Sequence, residues 1–525
     1  MKPTCTFFPD IFPGFILLVT LLVGSLMTSS STVHAADGDF VWAGGFGQTA
    51  DDEGYDTFVD AAGNVYTTGY FRGTVDFDPG PGTFELTSAG NSRDIFISKL
   101  NSGGSLVWAK AIGGVSNDFG WGIVADSSGN VCITGDFVGT VDFDPGTGPA
   151  EIFTLTSVGS SDIFISKLDG NGNFAGAWAM GGTADDYGYG IFVDTAGNIY
   201  TTGYFKNTVD FDPGGGTFNL TSTGVGVEDV FICKLDSTGS FAWAKGIGGA
   251  GADVGLGISL YSTGNVYLTG WFHGTVDFDP GPGTASLTSS GGSSDIYVSK
   301  LDSSGNFVWA RAMGGVSEDI GQAVAVDSGG NIYTTGWFIG TADFDPGAGM
   351  FSLTSSGLAS DIFISKLNSN GNFVWAKAMG GAAADVGYGI SADSSGNIYT
   401  TGGFSDTADF DPGAATSLLT SAGNADIFIS KLTGSGSFVW AKAMGGPATD
   451  YGYDIAVSPA GAVHTTGYFQ ETADFDPGPG TFNLVSAGFQ DVFISKLAGP
   501  DPITDTSFPW VMFLPAITGQ GKAQP

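Results

Sequence analysis

The sequence predicts an all-β fold, a seven-bladed β-propeller of four-stranded antiparallel blades closed by its N-terminal strand. Three observations predict it. First, a unit of about 66 residues recurs seven times, marked by Asp-Phe-Asp-Pro-Gly starting at Asp76, Asp142, Asp210, Asp277, Asp343, Asp409 and Asp474. Second, each unit reads as four short strands broken by Gly/Asn/Asp turns, with no helix-period stretch. Third, the two ends are complementary. The last unit stops after its third strand, Asp491 to Leu497, and the missing fourth strand, Phe40-Val41-Trp42-Ala43, stands before the first unit. Closing a ring removes the open edges that a linear array would present.

The first unit justifies the elements in order. Residues 52–60 form a strand, and Ala61-Ala62-Gly63-Asn64 turns the chain, with Gly63 suited to positive φ. Residues 65–71, Val-Tyr-Thr-Thr-Gly-Tyr-Phe, are β-branched and aromatic and form the second strand. An insert carrying the Asp-Phe-Asp-Pro-Gly marker follows. Asp94 to Leu100 is the third strand, Asn101-Ser102-Gly103-Gly104 a turn, and Leu106 to Lys110 the fourth strand. The Phe-x-Trp-Ala pattern of residues 40–43 recurs at Phe241, Phe307, Phe373 and Phe438, with Leu106 in place of Phe in the first unit. One unit departs: in Phe174-Ala175-Gly176-Ala177-Trp178 the Trp has moved two positions, which keeps it on the same face of a strand.

Composition bounds the function. The net charge is −36, and with only six Glu nearly all of the 53 acids are Asp, a residue of turns. Such a surface repels nucleic acid and anionic lipid, so no nucleic-acid partner is expected. It suits cations, basic groups, proteins or glycans. The N-terminus reads as an export signal over residues 1–35, with Lys2, the apolar run Phe15 to Leu26 and Val33-His34-Ala35 before the cut. The expected product is a secreted or cell-surface monomer without a membrane span. Residues 38–498 form the propeller and residues 499–525 a tail, whose Phe508 to Leu514 stretch could dock on the disc or act as a sorting signal. Cys5 falls in the signal, and Cys132 and Cys233 sit at non-equivalent positions and read as buried free thiols.

These residues resemble the SBBP-type β-propeller repeat of secreted bacterial proteins. The resemblance rests on Val193-Asp194…Gly197-Asn198-Ile199-Tyr200, on the Asp-x-Phe-x-x-Lys-Leu strand, and on the Trp strand ending in Gly-Gly. It covers about residues 38–498 and implies the fold. It implies no single activity and carries over no catalytic residue.

The candidate chemistry gathers on one side of the disc. Alternating strand direction brings three sets of Asp to one face: Asp52 and its equivalents at the start of the first strand, the insert pairs, and Asp94 and its equivalents at the start of the third. The insert pairs are Asp76 and Asp78, Asp142 and Asp144, Asp210 and Asp212, Asp277 and Asp279, Asp343 and Asp345, Asp409 and Asp411, and Asp474 and Asp476. Carboxylates at i and i+2 of an extended segment point the same way and could chelate Ca²⁺, or each Asp could cap a turn. Phe77 between them should point into the blade. A second candidate set, Tyr70, Tyr204, Trp271, Trp337 and Tyr468, follows Thr-Gly and could stack on a ligand or pack between blades. No Ser/His/Asp set, phosphate loop or Cys/His cluster is present, so no catalytic residue is assigned. A binding or scaffold protein is expected, and a glycan lyase or hydrolase with its site in the central funnel is the alternative.

Overall fold

The computed structural model describes residues 35–146, 152–261 and 264–500. The expected signal segment and all of the tail after Pro500 lie outside them. The fold is an all-β propeller. In the first unit the strands are Glu53–Val59, Val65–Arg72, Arg93–Leu100 and Leu106–Ile112, paired antiparallel in that order. The first strands of successive units neighbour one another around a central channel, and the ring returns from Tyr451–Val457 to Glu53–Val59.

The expectation of seven separate four-stranded blades needs correcting. Among the described residues the hydrogen-bonded sheets contain four, six, six, six, four, eight and two strands. The cause is the insert. Its first limb pairs with the Gly-Gly end of the fourth strand of the preceding unit, as Gly181 opposite Asp210, Gly248 opposite Asp277, Gly314 opposite Asp343 and Gly380 opposite Asp409. Hydrogen bonding therefore runs from unit to unit, and the sheets do not divide at the repeat boundaries.

The core lies between units. The third strand reads Ile95-Phe96-Ile97 without alternation because both of its faces are covered, and all three side chains are fully buried. Phe77 of the insert does point inward, 4.8 Å from the Phe46 ring and 5.4 Å from the Phe96 ring. Gly69 is required by a close approach, since a Cβ there would sit 1.9 Å from the carbonyl oxygen of Glu53.

The N-terminal strand Phe40–Phe46 pairs antiparallel with Asn483–Leu497, Trp42 opposite Lys496 and Gly45 opposite Phe493. Val41 falls in a bulge, as Val107 does in the first unit. Trp42 Nε1 and Lys496 Nζ both donate to the carbonyl of Ser102, at 3.3 and 2.8 Å, so the two chain ends clasp the first unit. The same clasp joins Trp108 and Lys99 to the carbonyl of Gly170. Gly104, at φ 83°, lies under the Trp42 ring, and the displaced Trp178 covers the equivalent Gly239. Cys132 and Cys233 are buried free thiols.

Candidate functional site: the central cavity

Every first strand carries a bulge at the same place. Pairing with the second strand skips one residue, in turn Tyr55, Trp121, Tyr189, Leu256, Gln322, Tyr388 and Tyr453. A bulged residue leaves the ladder and its side chain is re-aimed. All seven line one cavity of about 560 Å³. Five are aromatic and consecutive around the ring. Their centroids run Tyr388 to Tyr453 at 5.2 Å, Tyr453 to Tyr55 at 5.5 Å, Tyr55 to Trp121 at 4.2 Å and Trp121 to Tyr189 at 5.4 Å. Leu256 and Gln322 complete the wall. The repeat symmetry is thus broken into an aromatic arc and a smaller opposing side.

The residue after the bulge is Gly or Ala in five units and Asp in two, Asp56 and Asp454, both in the cavity wall. Asp56 Oδ1 accepts the Thr57 N–H at 2.8 Å, and its Oδ2 accepts the Ile123 N–H of the next unit at 2.6 Å. Asp454 Oδ2 accepts the same Thr57 N–H at 3.1 Å. Two carboxylates converging on one amide cannot both be ionised cheaply. Burial raises both, and the neighbouring Asp56 carboxylate raises Asp454 further, which favours one proton kept between the two carboxyls.

Two further acids brace the arc. Burial pushes Glu53 up, and its Oε1 accepts the Tyr70 hydroxyl at 2.8 Å. Asp136 Oδ1 accepts the Trp121 indole N–H at 2.7 Å, and burial pushes this carboxyl up to about 7. Asp136 stands where five units have an aromatic, and its bond to Trp121 explains that departure.

The candidate residues read from sequence sit elsewhere. In the insert, Asp76 Oδ1 accepts the N–H groups of Asp78 and Phe84 at 3.1 and 2.7 Å, and Asp78 Oδ1 accepts that of Gly80 at 2.9 Å. Asp210 and Asp212 repeat this, as do Asp277 and Asp279, Asp343 and Asp345, Asp409 and Asp411, and Asp474 and Asp476. Asp142 and Asp144 do likewise toward Phe153 and Gly146. No group of three or more His, Cys, Asp or Glu that could hold a metal occurs among the described residues.

None of Tyr70, Tyr204, Trp271, Trp337 and Tyr468 lines the cavity. The three tyrosines stand against the arc, Tyr70 5.7 Å from Tyr55, Tyr204 6.0 Å from Tyr189 and Tyr468 5.7 Å from Tyr453. His464 is fully buried, and burial holds its imidazole down to about 3. The arc and the Asp pair escaped sequence reasoning. Their signal was the Gly-x-Gly at 120–122, 188–190, 255–257 and 387–389, which becomes Gly-Tyr-Asp at 54–56 and 452–454.

The model of the SBBP β-propeller repeat matches residues 176–204 and 374–402. An uncharacterized WD repeat-containing protein L264 of Acanthamoeba polyphaga mimivirus is 23% identical over 515 residues, covering 83% of this chain and 36% of that protein. The regulatory protein FlaEY of Caulobacter vibrioides is 25% identical over 229 residues, covering 39% of this chain and 23% of that protein. The chain thus spans about a third or less of the length of these relatives. Among the described residues no helix is long and apolar enough to cross a membrane.

Proposed function

We propose that this chain, which carries SBBP β-propeller repeats, is a secreted binding or scaffold protein without a catalytic role, taking a glycan or a protein segment at the central cavity rather than on an open acidic face. One observation supports this above the rest. Five consecutive aromatic rings, delivered by the same bulge in five units, line a cavity of about 560 Å³. Such a cavity has the size of a small-ligand site, and aromatic faces stack on sugar rings and on partner side chains. Ca²⁺ is not needed, because the insert carboxylates already serve backbone amides.

The alternative, a glycan lyase or hydrolase with its site in the central funnel, gains little support. The two carboxyls of a hydrolase would have to stand roughly 5–9.5 Å apart across a glycosidic bond. Asp56 and Asp454 instead meet at one amide. Export of the chain is supported by the apolar run Phe15 to Leu26. N-terminal sequencing of protein recovered from the culture medium tests export, and a start near residue 36 is expected. A glycan and peptide array followed by titration calorimetry tests binding. Trp121→Ala should weaken the captured ligand by about tenfold, the size of one lost aromatic contact. Polysaccharide cleavage with no retained ligand would overturn the reading in favour of the enzyme.

A further inference from the structure

We infer that the cavity takes a small organic cation, an alkylammonium group, held between the aromatic arc and the carboxylate pair Asp56 and Asp454. The inference rests on the reading of the cavity as a binding site and adds the chemical class of its ligand.

Three observations carry it. The first is charge without a counter-charge. Asp56 and Asp454 share the Thr57 amide, and no residue lining the cavity is basic. A buried carboxylate is ordinarily paired, and this pair has only amides and each other. The second is the aromatic wall of the cavity that the pair also lines. Tyr55, Trp121, Tyr189, Tyr388 and Tyr453 offer π-electron rings, which attract a cation within about 6 Å of a ring centroid. The protein already uses this contact outside the cavity, where the Arg93 guanidinium lies 4.7 Å from the Tyr70 ring centre and the Lys99 ammonium 4.9 Å from that of Tyr66. The third is what excludes a hard metal ion. Three of the four oxygens of the pair accept backbone N–H groups. A Ca²⁺ ion wants six to eight oxygens, whereas apart from Gln322 the rest of this wall is aromatic, aliphatic or glycine. An ammonium bearing an alkyl chain matches both surfaces, its charge meeting the carboxylates and rings and its chain the aliphatic wall.

The proton held by the pair follows the cation. The other titratable groups at this wall are the phenols of Tyr55, Tyr189, Tyr388 and Tyr453, all pushed up by burial and neutral, and the Asp136 carboxyl on the Trp121 indole, pushed up by burial to about 7. Glu53, also pushed up by burial, accepts the Tyr70 hydroxyl and lies within hydrogen-bond reach of the Tyr55 and Tyr453 hydroxyls of the arc. Arrival of an ammonium favours the doubly ionised pair, so a proton kept between the two carboxyls leaves to solvent.

The test is titration calorimetry of the full chain with n-butylammonium chloride and with n-butanol, at pH 5 and pH 8, in two buffers of different ionisation enthalpy. The ammonium should bind at least about tenfold more tightly than the alcohol, more tightly at pH 8 than at pH 5, and with proton release. Asp454→Asn mimics the protonated carboxyl and keeps the Thr57 contact, so it should fold and bind but release fewer protons and depend less on pH, with Asp136 supplying what remains. Equal binding of alcohol and ammonium, absence of ammonium binding, or unchanged proton release in the variant overturns the inference. If the alcohol or a glycan still binds in a Trp121-dependent way, the cavity remains a binding site and only the cation assignment falls. If no ligand responds to Trp121→Ala, the site reading itself falls, and this inference with it.

Discussion

Asp454 accepts the backbone N–H of Thr57 at 3.1 Å across 397 residues of sequence, and so ties the last first-strand of the ring to the opening one. Asp56 makes the same kind of tie to Ile123 in the next unit. The two ties are unequal, because Thr57 keeps a second acceptor and Ile123 has no second one in this arrangement. Stranding a buried amide costs about 1–3 kcal/mol. Asp56→Ala should therefore lose that amount in urea unfolding, whereas Asp454→Ala should lose less than about 1 kcal/mol. Equal losses would show that the Thr57 amide does not act as the shared donor.

The outer seam makes a sharper demand. Val492, Phe493 and Ile494 are fully buried under Phe40–Phe46. Deleting residues 38–46 bares that strand edge, an invitation to pair with another chain. The truncated protein should elute as oligomers or aggregates in size-exclusion chromatography and melt well below the full chain. A monomer with an unchanged melting temperature would mean that the ring does not depend on this strand.

The fold and the site were unequally legible. Strand order, the inward Phe77 and the pairing of Trp42 with the last unit follow from motif spacing, which repeats and so averages out local ambiguity. Sheet boundaries did not follow, since Gly181 opposite Asp210 is a contact between units with no mark in either motif alone. The site was hidden for a related reason. Period-two reasoning puts Tyr55 and Asp56 on opposite faces, and only the bulge, which resets that count, lets both line the cavity. Tyr70, the aromatic chosen from sequence, lies one layer behind.

Stability should rise as the solution is made acidic. Burial pushes the first-strand carboxyls Asp52, Asp186, Asp253, Asp319, Asp385 and Asp450 up to about 7, and Asp118 up to about 6. It also raises their third-strand neighbours, Asp94 to about 7 and Asp162, Asp229, Asp295, Asp361, Asp426 and Asp491 to about 6. Groups raised on folding bind more protons folded than unfolded, so their contribution is present below about pH 4 and lost as pH passes 6 to 7. His464, held down to about 3, opposes this between pH 5 and 8, and the lowered turn carboxyls Asp60, Asp169, Asp194, Asp236, Asp302 and Asp327 oppose it only below about pH 4. Calorimetry should therefore give a higher melting temperature at pH 5 than at pH 8. Asp361→Asn should flatten part of the slope, and a melting temperature that rises with pH would contradict the assignment.

The insert can be judged by what its carboxylates already do. Asp76 Oδ1 receives two N–H groups, from Asp78 and Phe84, and holds the turn that seats Phe77 in the core. An Asn keeps an oxygen for those donors, and an Ala does not. Asp76→Ala should cost about 1–2 kcal/mol in unfolding and Asp76→Asn a few tenths. The melting temperature should be the same in EDTA and in millimolar Ca²⁺. A Ca²⁺-dependent rise that Asp76→Asn abolishes would reverse the reading, because the capping oxygen survives that change and only the charge needed for a cation is lost.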